Sequence, residues 1–272
     1  MTFKNLALAL LASTFAYLEA DAAPDRPNIV VIITDQQSAT MMSCAGNKWV
    51  KTPAMDSLGA SGTRFELAYS GNPVCLPSRF SMFSGYYPSR VGIRHNGDGR
   101  AVDASPFAAN AMGHVFRRGG YVTAYGGKTH LPRGMSVEEM GFDTISRDER
   151  DKLATDAAAW LRLEHDRPFV LVLSFINPHD ICYMAIRNND DRNRGPLAPL
   201  AEALELPANL SRDLFFKEHC PPLPDNFEPQ PGEPRIVETG LFQRAFKKQA
   251  RETWSDEQWR LHRWAYCRLT EK

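Results

Sequence analysis

The stretch Asn28-Ile29-Val30-Val31-Ile32-Ile33-Thr34 is an unbroken, mostly apolar run that lies between Pro27 and Asp35. Such a run is typical of a parallel β-strand that is covered on both faces. Similar strands are predicted at 121–125 and 169–175, with helices between them. Because strands and helices alternate, we expect an α/β fold with a mostly parallel central sheet and helices on both faces.

The predicted helices are marked by their end signals. Thr52 is a candidate N-cap, Pro53 suits the first helical position, and Gly62 marks the end of that helix. Two further helices are predicted at 107–118, stopped by a Gly-Gly pair, and at 151–165. After the first of these helices, which Gly62 ends, 65–69 is predicted as a strand that returns the chain to a cysteine loop.

The segment 186–235 differs from the rest, because it is rich in Asn, Asp and Pro and shows no lasting period. We interpret it as an irregular excursion that shapes or covers a substrate pocket. A flexible linker is the alternative interpretation of the same composition.

The N-terminus has the features of a secretory signal peptide over residues 1–22. Lys4 precedes the apolar run 6–12, and Ala20-Asp21-Ala22 offers a small-x-small cleavage site. The apolar run is too short for a membrane span. We therefore expect export to the periplasm or the medium and a catalytic domain over 23–272, with a buried N-terminal helix as the alternative.

Composition limits the classes of partner. Acidic and basic residues number 32 each, which argues against nucleic acid as the main partner. The five cysteines are an odd number, so an exported chain would have one special thiol. The other four would form disulfides or remain free, and the sequence does not decide between these states.

Polar residues follow the predicted strands at their carboxyl ends. Asp35 follows the first strand, Lys128 the second and His179 the third, and Cys75 follows the predicted return at 65–69. Ligands of open α/β sheets bind outside these strand ends. The sequence therefore predicts that these side chains converge on one site.

The segment Cys75-Leu76-Pro77-Ser78-Arg79 has the character of a loop that enters a helix. Cys75 would lie at the helix start, where free backbone N–H groups attract anions. Arg79 would lie one turn further on the same face. An ordinary turn with one buried cysteine and one surface arginine is the alternative.

This segment resembles the sulfatase signature C-x-P-S-R. Three further blocks resemble sulfatase motifs in the same order: 27–37, with its acidic turn; 120–130, with Lys128 and His130; and 177–180, with His179. The resemblance implies an alkaline-phosphatase-like fold and hydrolysis of sulfuric esters, including those of sulfated carbohydrates.

The resemblance also implies catalytic roles. Cys75 would be oxidised to formylglycine by a formylglycine-generating or anaerobic maturing enzyme, and the hydrate would attack sulfur. Arg79 would orient this group, and Lys128 and His130 would counter the sulfate charge. His179 would protonate or bind the leaving side.

A hard divalent cation, Ca²⁺ by resemblance, would be held by Asp35, Gln36 and the modified Cys75. Many relatives have a second Asp at the position of Gln36. Asn96, in a His-Asn-Gly turn, is a further substrate-binding candidate, although an Asn-Gly pair is also an ordinary turn signal.

One expected block is not found in the sequence. Relatives complete the metal site with an Asp-His or Asp-Asn pair in a block like S-D-H-G, and Ser255-Asp256-Glu257 is a poor substitute. We therefore expect a C-terminally incomplete domain with weak or no activity by itself. A non-catalytic protein that binds sulfated glycans, and a phosphonate or phosphate diester hydrolase, are the alternative functions.

Overall fold

The computed structural model describes residues 26–189, 207–228, 230–237 and 250–272, with the backbone alone for 185–189. The predicted signal peptide and residues 190–206 of the predicted excursion lie outside this description. No helix within the described residues is both long enough and apolar enough to cross a membrane.

The centre of the fold is a parallel sheet of four strands. They are β1 (Ile29–Asp35), β2 (Val122–Gly127), β3 (Asp143–Ser146) and β4 (Phe169–Pro178), in the order β1-β4-β2-β3. All pairings are parallel; for example, Val31 lies opposite Val172 and Tyr125 lies opposite the same residue from the other side. The predicted parallel sheet is therefore confirmed, with β3 as a strand that the sequence analysis did not predict.

Within the described residues, helices lie in the connections between the strands and also after β4. In chain order they are α1 (Pro53–Ser61), α2 (Cys75–Ser84), α3 (Pro88–Val91), α4 (Ser105–Ala108), α5 (Met112–Arg118), α6 (Leu153–Leu161), α7 (Asp180–Asn189), α8 (Arg212–Leu214) and α9 (Asp256–Glu271). The helix predicted at 107–118 is two shorter helices, because 109–111 interrupt it.

Alternate residues of β4 point into two separate cores. Val170 and Val172 face the core that contains Phe80 and Phe83 of α2, whereas Leu171 faces the core of α6. This alternation follows from the period of two along a strand. Helices therefore cover both faces of the middle of the sheet, as predicted.

The expectation that β1 is covered on both faces is wrong. Among the strands of the described residues, β1 lies at the edge of the sheet, and Val30 and Ile32 are 44% and 56% exposed. The residues that alternate with them, Val31 and Ile33, pack against the larger core. The apolar run therefore predicted the strand correctly but not its position at the edge of the sheet.

The strand predicted at 65–69 is also absent from the described chain. Phe65, Leu67 and Tyr69 are at least 79% exposed, and the segment is a loop. Its alternating pattern has no strand beside it with which to form a ladder. Cys75 consequently follows a loop and not a strand.

Part of the predicted excursion has regular structure. A single π-type turn, Phe215–His219, follows α8 and buries Phe215 and Phe216. The ring of Phe215 packs edge-on against Trp264 of α9, with 5.3 Å between ring centroids. This part of 186–235 is thus packed against the C-terminal helix.

Candidate active site

Cys75 is the first residue of α2, as the sequence predicts. The side chain of Asn96 fixes this helix start, because its Oδ1 accepts a hydrogen bond from the N–H of Leu76 at 3.1 Å. Such a bond satisfies one of the free N–H groups of a helix N-terminus. The structure therefore gives Asn96 a role in positioning Cys75, and its predicted contact with substrate remains a prediction.

The carboxylate of Asp35 lies at the centre of the site. Its Oδ2 accepts from Nη2 of Arg79 at 3.0 Å and from Nζ of Lys128 at 2.9 Å. Its Oδ1 lies 3.5 Å from Sγ of Cys75. Cys75 and Arg79, one helical turn apart on α2, thus both reach the same carboxylate.

Arg79 is buried and donates three hydrogen bonds. Besides Asp35, its Nη1 donates to the carbonyl oxygen of Lys128 at 3.0 Å and to Oγ of Ser174 at 2.7 Å. These bonds connect α2 to the carboxyl ends of three strands, β1, β2 and β4. Arg79 therefore positions Asp35 and Lys128. Ser174 was not predicted, because a single serine inside an apolar strand carries no motif.

Lys128 is placed by a glycine before it. Gly127 has a φ of 92°, and a Cβ there would lie 2.2 Å from the carbonyl oxygen of Ser174. Only glycine permits this close approach of β2 to β4. The N–H of Lys128 then donates to that carbonyl at 2.8 Å, and Tyr125 donates its O–H to the carbonyl of Lys128 at 2.6 Å.

The electrostatics of the cluster are set by burial and by the two cations. Burial opposes ionisation of Asp35, but the hydrogen bonds and charges of Lys128 and Arg79 outweigh it and lower the pKa. Burial, reinforced by the charge of Asp35, raises the pKa of the Cys75 thiol. The unmodified thiol is therefore protonated at neutral pH and is not a strong nucleophile.

Both predicted histidines have a lowered pKa, which favours the neutral imidazole at neutral pH. Burial, followed by the charge of Lys128, lowers the pKa of His130 and of His179. His130 has a left-handed backbone, with a φ of 43°. A neutral imidazole can accept a proton, and the imidazolium that forms can donate it, which is the property that acid-base chemistry needs.

His179 follows a cis peptide bond between Asn177 and Pro178, at the end of β4. The next residue, Asp180, is fully buried and accepts two hydrogen bonds from Arg150, at 2.9 and 2.8 Å. This bidentate ion pair anchors the turn that carries His179. Arg150 is a supporting residue that the sequence analysis missed, because it lies in a polar loop without a motif.

The donors of the cluster do not by themselves suit Ca²⁺, which takes six to eight oxygen ligands. Asp35, Cys75 and His179 offer one carboxylate, one sulfur and one imidazole within 4.8 Å of one another. Gln36 is exposed, and its backbone carbonyl accepts a hydrogen bond from Tyr266. A candidate metal site is thus present, but the binding of Ca²⁺ and the ligand role of Gln36 stay predictions, and we derive no reaction step through calcium.

Three further cysteines, Cys44, Cys220 and Cys267, are not part of this cluster of possible ligands. Cys44, Cys220 and Cys267 form no disulfide. Cys220 and Cys267 are buried, and burial raises the pKa of both thiols, that of Cys220 to about 11. The sequence left open whether these cysteines form disulfides or remain free, and in the structure they are free.

The sequence of this chain is similar to those of known sulfatases. The family model described as Sulfatase matches residues 27–149. A delta 4,5-hexuronate-2-O-sulfatase of Bacteroides thetaiotaomicron is 26% identical over 221 residues, which are 77% of this chain and 42% of that protein. An ulvan-active sulfatase of Formosa agariphila is 39% identical over 115 residues, which are 42% of this chain and 21% of that protein.

Solved structures share the fold. A 2-O GAG sulfatase superposes with a TM-score of 0.68 at 22% identity, over 91% of this chain and 52% of that one. A phosphonate monoester hydrolase of Agrobacterium radiobacter gives a TM-score of 0.55 at 18% identity, over 90% of this chain and 56% of that one. The chain thus spans about half the length of these proteins or less.

The fold is the alkaline-phosphatase-like α/β fold that the sequence predicts. The matched segment contains Asp35, Cys75, Arg79 and Lys128, the residues that the structure brings together. Residues 27–149 of this chain therefore form a sulfatase-family domain.

Proposed function

We propose that this chain carries the chemistry of a sulfuric ester hydrolase, with position 75 as the reacting residue. The observation that supports this most strongly is the buried cluster in which one carboxylate, Asp35, meets two cations, Arg79 and Lys128. The cluster has one positive charge in excess beside Cys75. A sulfate monoester has a single negative charge, which this excess would balance.

Each side chain of the site would have a separate role in the reaction. Lys128 would bind a sulfate oxygen, while Arg79 holds Asp35 and the carbonyl of Lys128 in place. His179, which is half-buried and whose pKa is lowered, would bind the leaving side through a hydrogen bond and would protonate the leaving alcohol once it carries a proton itself, and His130 would contact the sulfate. When Cys75 is oxidised to formylglycine, position 75 supplies the nucleophilic oxygen.

The substrate class that we propose is the sulfate ester of a carbohydrate. The relatives named for ulvan and for hexuronate support this choice. A substrate would approach Lys128 from the carboxyl ends of the strands, the edge at which ligands of open α/β sheets bind. We also propose a signal peptide at 1–22 and export, which N-terminal sequencing of the mature protein would test.

The test is release of inorganic sulfate from an aryl sulfate and from sulfated sugars by the formylglycine-containing chain. We expect slow release, because the second pair of metal ligands is not found in the sequence, and its loss in Cys75→Ala. Equal release by both forms would remove Cys75 from the reaction. Tight binding of sulfated sugars without release would instead favour a non-catalytic binding protein, and faster cleavage of phosphate diesters would favour the phosphonate hydrolase class.

A further inference from the structure

Asp35, Cys75 and His179 offer an unusual set of donors in one place. Their carboxylate oxygen, sulfur and imidazole nitrogen all lie within 4.8 Å of one another. They come from the end of β1, the start of α2 and the turn after β4, so the tertiary fold, and no local motif, brings them together.

The two oxygens of Asp35 have different neighbours. Oδ2 accepts from Arg79 and Lys128, whereas Oδ1 faces Sγ of Cys75 at 3.5 Å. Oδ1 is thus available to a ligand without loss of either ion pair. A separation of this size between oxygen and sulfur is compatible with two ligands of one tetrahedral metal ion, whose bonds are about 2.0–2.3 Å long.

One ring nitrogen of His179 makes no hydrogen bond within the described residues. Its Nδ1 is buried and finds no hydrogen-bond partner in the part of the chain that the structure describes. Buried polar atoms without a partner are uncommon and often indicate a ligand or an ion. The imidazole also stacks edge-on against Tyr183, with 5.3 Å between ring centroids, which holds its plane.

The donor chemistry selects the kind of metal. Ca²⁺ and Mg²⁺ require oxygen ligands, whereas Zn²⁺ accepts thiolate, imidazole and carboxylate together. We propose that, while Cys75 is unmodified, Asp35, Cys75 and His179 bind a thiophilic divalent cation of the Zn²⁺ class, with water at a fourth position. Binding forms a metal–sulfur bond, and the thiol proton passes to solvent.

The charges around the site limit the affinity but do not prevent binding. Arg79 and Lys128 repel a cation, although both lie on Oδ2, the oxygen that is not used. When the thiol of Cys75 loses its proton, the thiolate carries one negative charge, which balances one of the two positive charges of the metal ion. Because the metal occupies the sulfur, it protects Cys75 from oxidation and alkylation, so the bound ion would delay maturation of position 75.

Replacement of this sulfur by oxygen should change the preference of the site. The substitution Cys75→Ser leaves only oxygen and nitrogen donors and is nearly isosteric, so the fold is retained. We therefore expect the site to lose its preference for thiophilic ions when position 75 no longer has sulfur. The inference does not depend on sulfatase activity, because it concerns the chain before oxidation.

The first experiment titrates the full, unmodified chain with Co²⁺ as a spectroscopic probe. We expect a thiolate-to-cobalt charge-transfer band that Zn²⁺ removes by competition and Ca²⁺ does not. Cys75→Ser should abolish the band, and both Cys75→Ser and His179→Ala should weaken Zn²⁺ binding at least about tenfold. Cys44→Ser, which changes a half-buried cysteine outside the cluster, should alter neither result.

The second experiment measures alkylation by iodoacetamide with peptide mass mapping. Zn²⁺ should slow the reaction at Cys75 at least about tenfold and leave the rate at Cys44 unchanged. A charge-transfer band that persists in Cys75→Ser, Zn²⁺ affinity that both variants retain, or equal alkylation of Cys75 with and without Zn²⁺ would each overturn the proposal. Failure here would leave sulfate release by the oxidised form unaffected, so the two proposals are separable.

Discussion

The substitution Asp35→Asn tests the buried ion cluster on which the site depends. Asp35, Arg79 and Lys128 have side chains that are 7%, 3% and 9% exposed, and the contacts are 3.0 and 2.9 Å long. Asparagine has a similar shape but no charge, so both cations would be left buried without a counter-charge. Removal of one partner from a buried pair costs about 3–5 kcal/mol of folding free energy.

We therefore expect Asp35→Asn to lower the free energy of unfolding by about 3–5 kcal/mol. For a chain of this size, the melting temperature would fall by roughly 6–20 °C. Urea unfolding followed by tryptophan fluorescence measures the change, and an unchanged m value would show that the unfolded states are comparable.

Glu66→Gln is the matched control, because Glu66 pairs with Arg64 on the surface and is 71% exposed. Surface pairs contribute about 0–1 kcal/mol, so this variant should remain close to the parent. In the Asp35→Asn background, Lys128→Met should cost less than in the parent, since the lysine has already lost its counter-charge. If Asp35→Asn lowered the free energy of unfolding by less than about 1 kcal/mol, the ion cluster as described would be refuted. The same would follow if the effects of Asp35→Asn and Lys128→Met on this free energy were additive.

Three further predictions follow from the same geometry. Lys128→Gln should weaken binding of a sulfate ester about tenfold to hundredfold, as expected for loss of a charge-assisted hydrogen bond, and unchanged calorimetric affinity would exclude Lys128 from the anion site. Asp180→Asn should destabilise the turn that carries His179, because it breaks the bidentate pair with Arg150; an unfolding free energy within about 0.5 kcal/mol of the parent would show that the pair does not anchor the turn. Because burial lowers the pKa of His179 below its usual value of 6.5, the unfolded chain binds the proton first as the pH falls, so stability should decrease from about pH 7 towards pH 5. In urea unfolding, His179→Gln should reduce the change in stability between pH 7 and pH 5. A change equal to that of the parent would show that His179 does not cause this pH dependence.

The sequence predicted the sheet and the convergence of polar residues because both depend on simple patterns. Unbroken apolar runs indicated β1, β2 and β4, and in a parallel sheet the residues that follow such strands meet at one edge. Asp35 and Lys128, which come at the ends of β1 and β2, accordingly form an ion pair, whereas Cys75 reaches Asp35 from the start of a helix. The C-x-P-S-R motif predicted that Arg79 belongs to the site. The helix Cys75–Ser84 then places Arg79 one turn after Cys75.

Other features had no pattern from which to be predicted. Residues 65–69 alternate like a strand, but a strand needs a partner, and the sequence does not show whether one is adjacent. Ser174 and Arg150 are important because of what lies beside them in space, Arg79 and Asp180, at separations of 95 and 30 residues. The four-residue strand β3 is too short to give a periodic signal.

The most direct test of the account is the chemical state of position 75. Peptide mass mapping of protein that has been exported, or co-produced with a maturing enzyme, would identify the side chain there. We predict formylglycine in place of Cys75, with Cys44 unmodified in the same sample. Recovery of only unmodified cysteine at position 75 under conditions that convert a known sulfatase would contradict the proposed function.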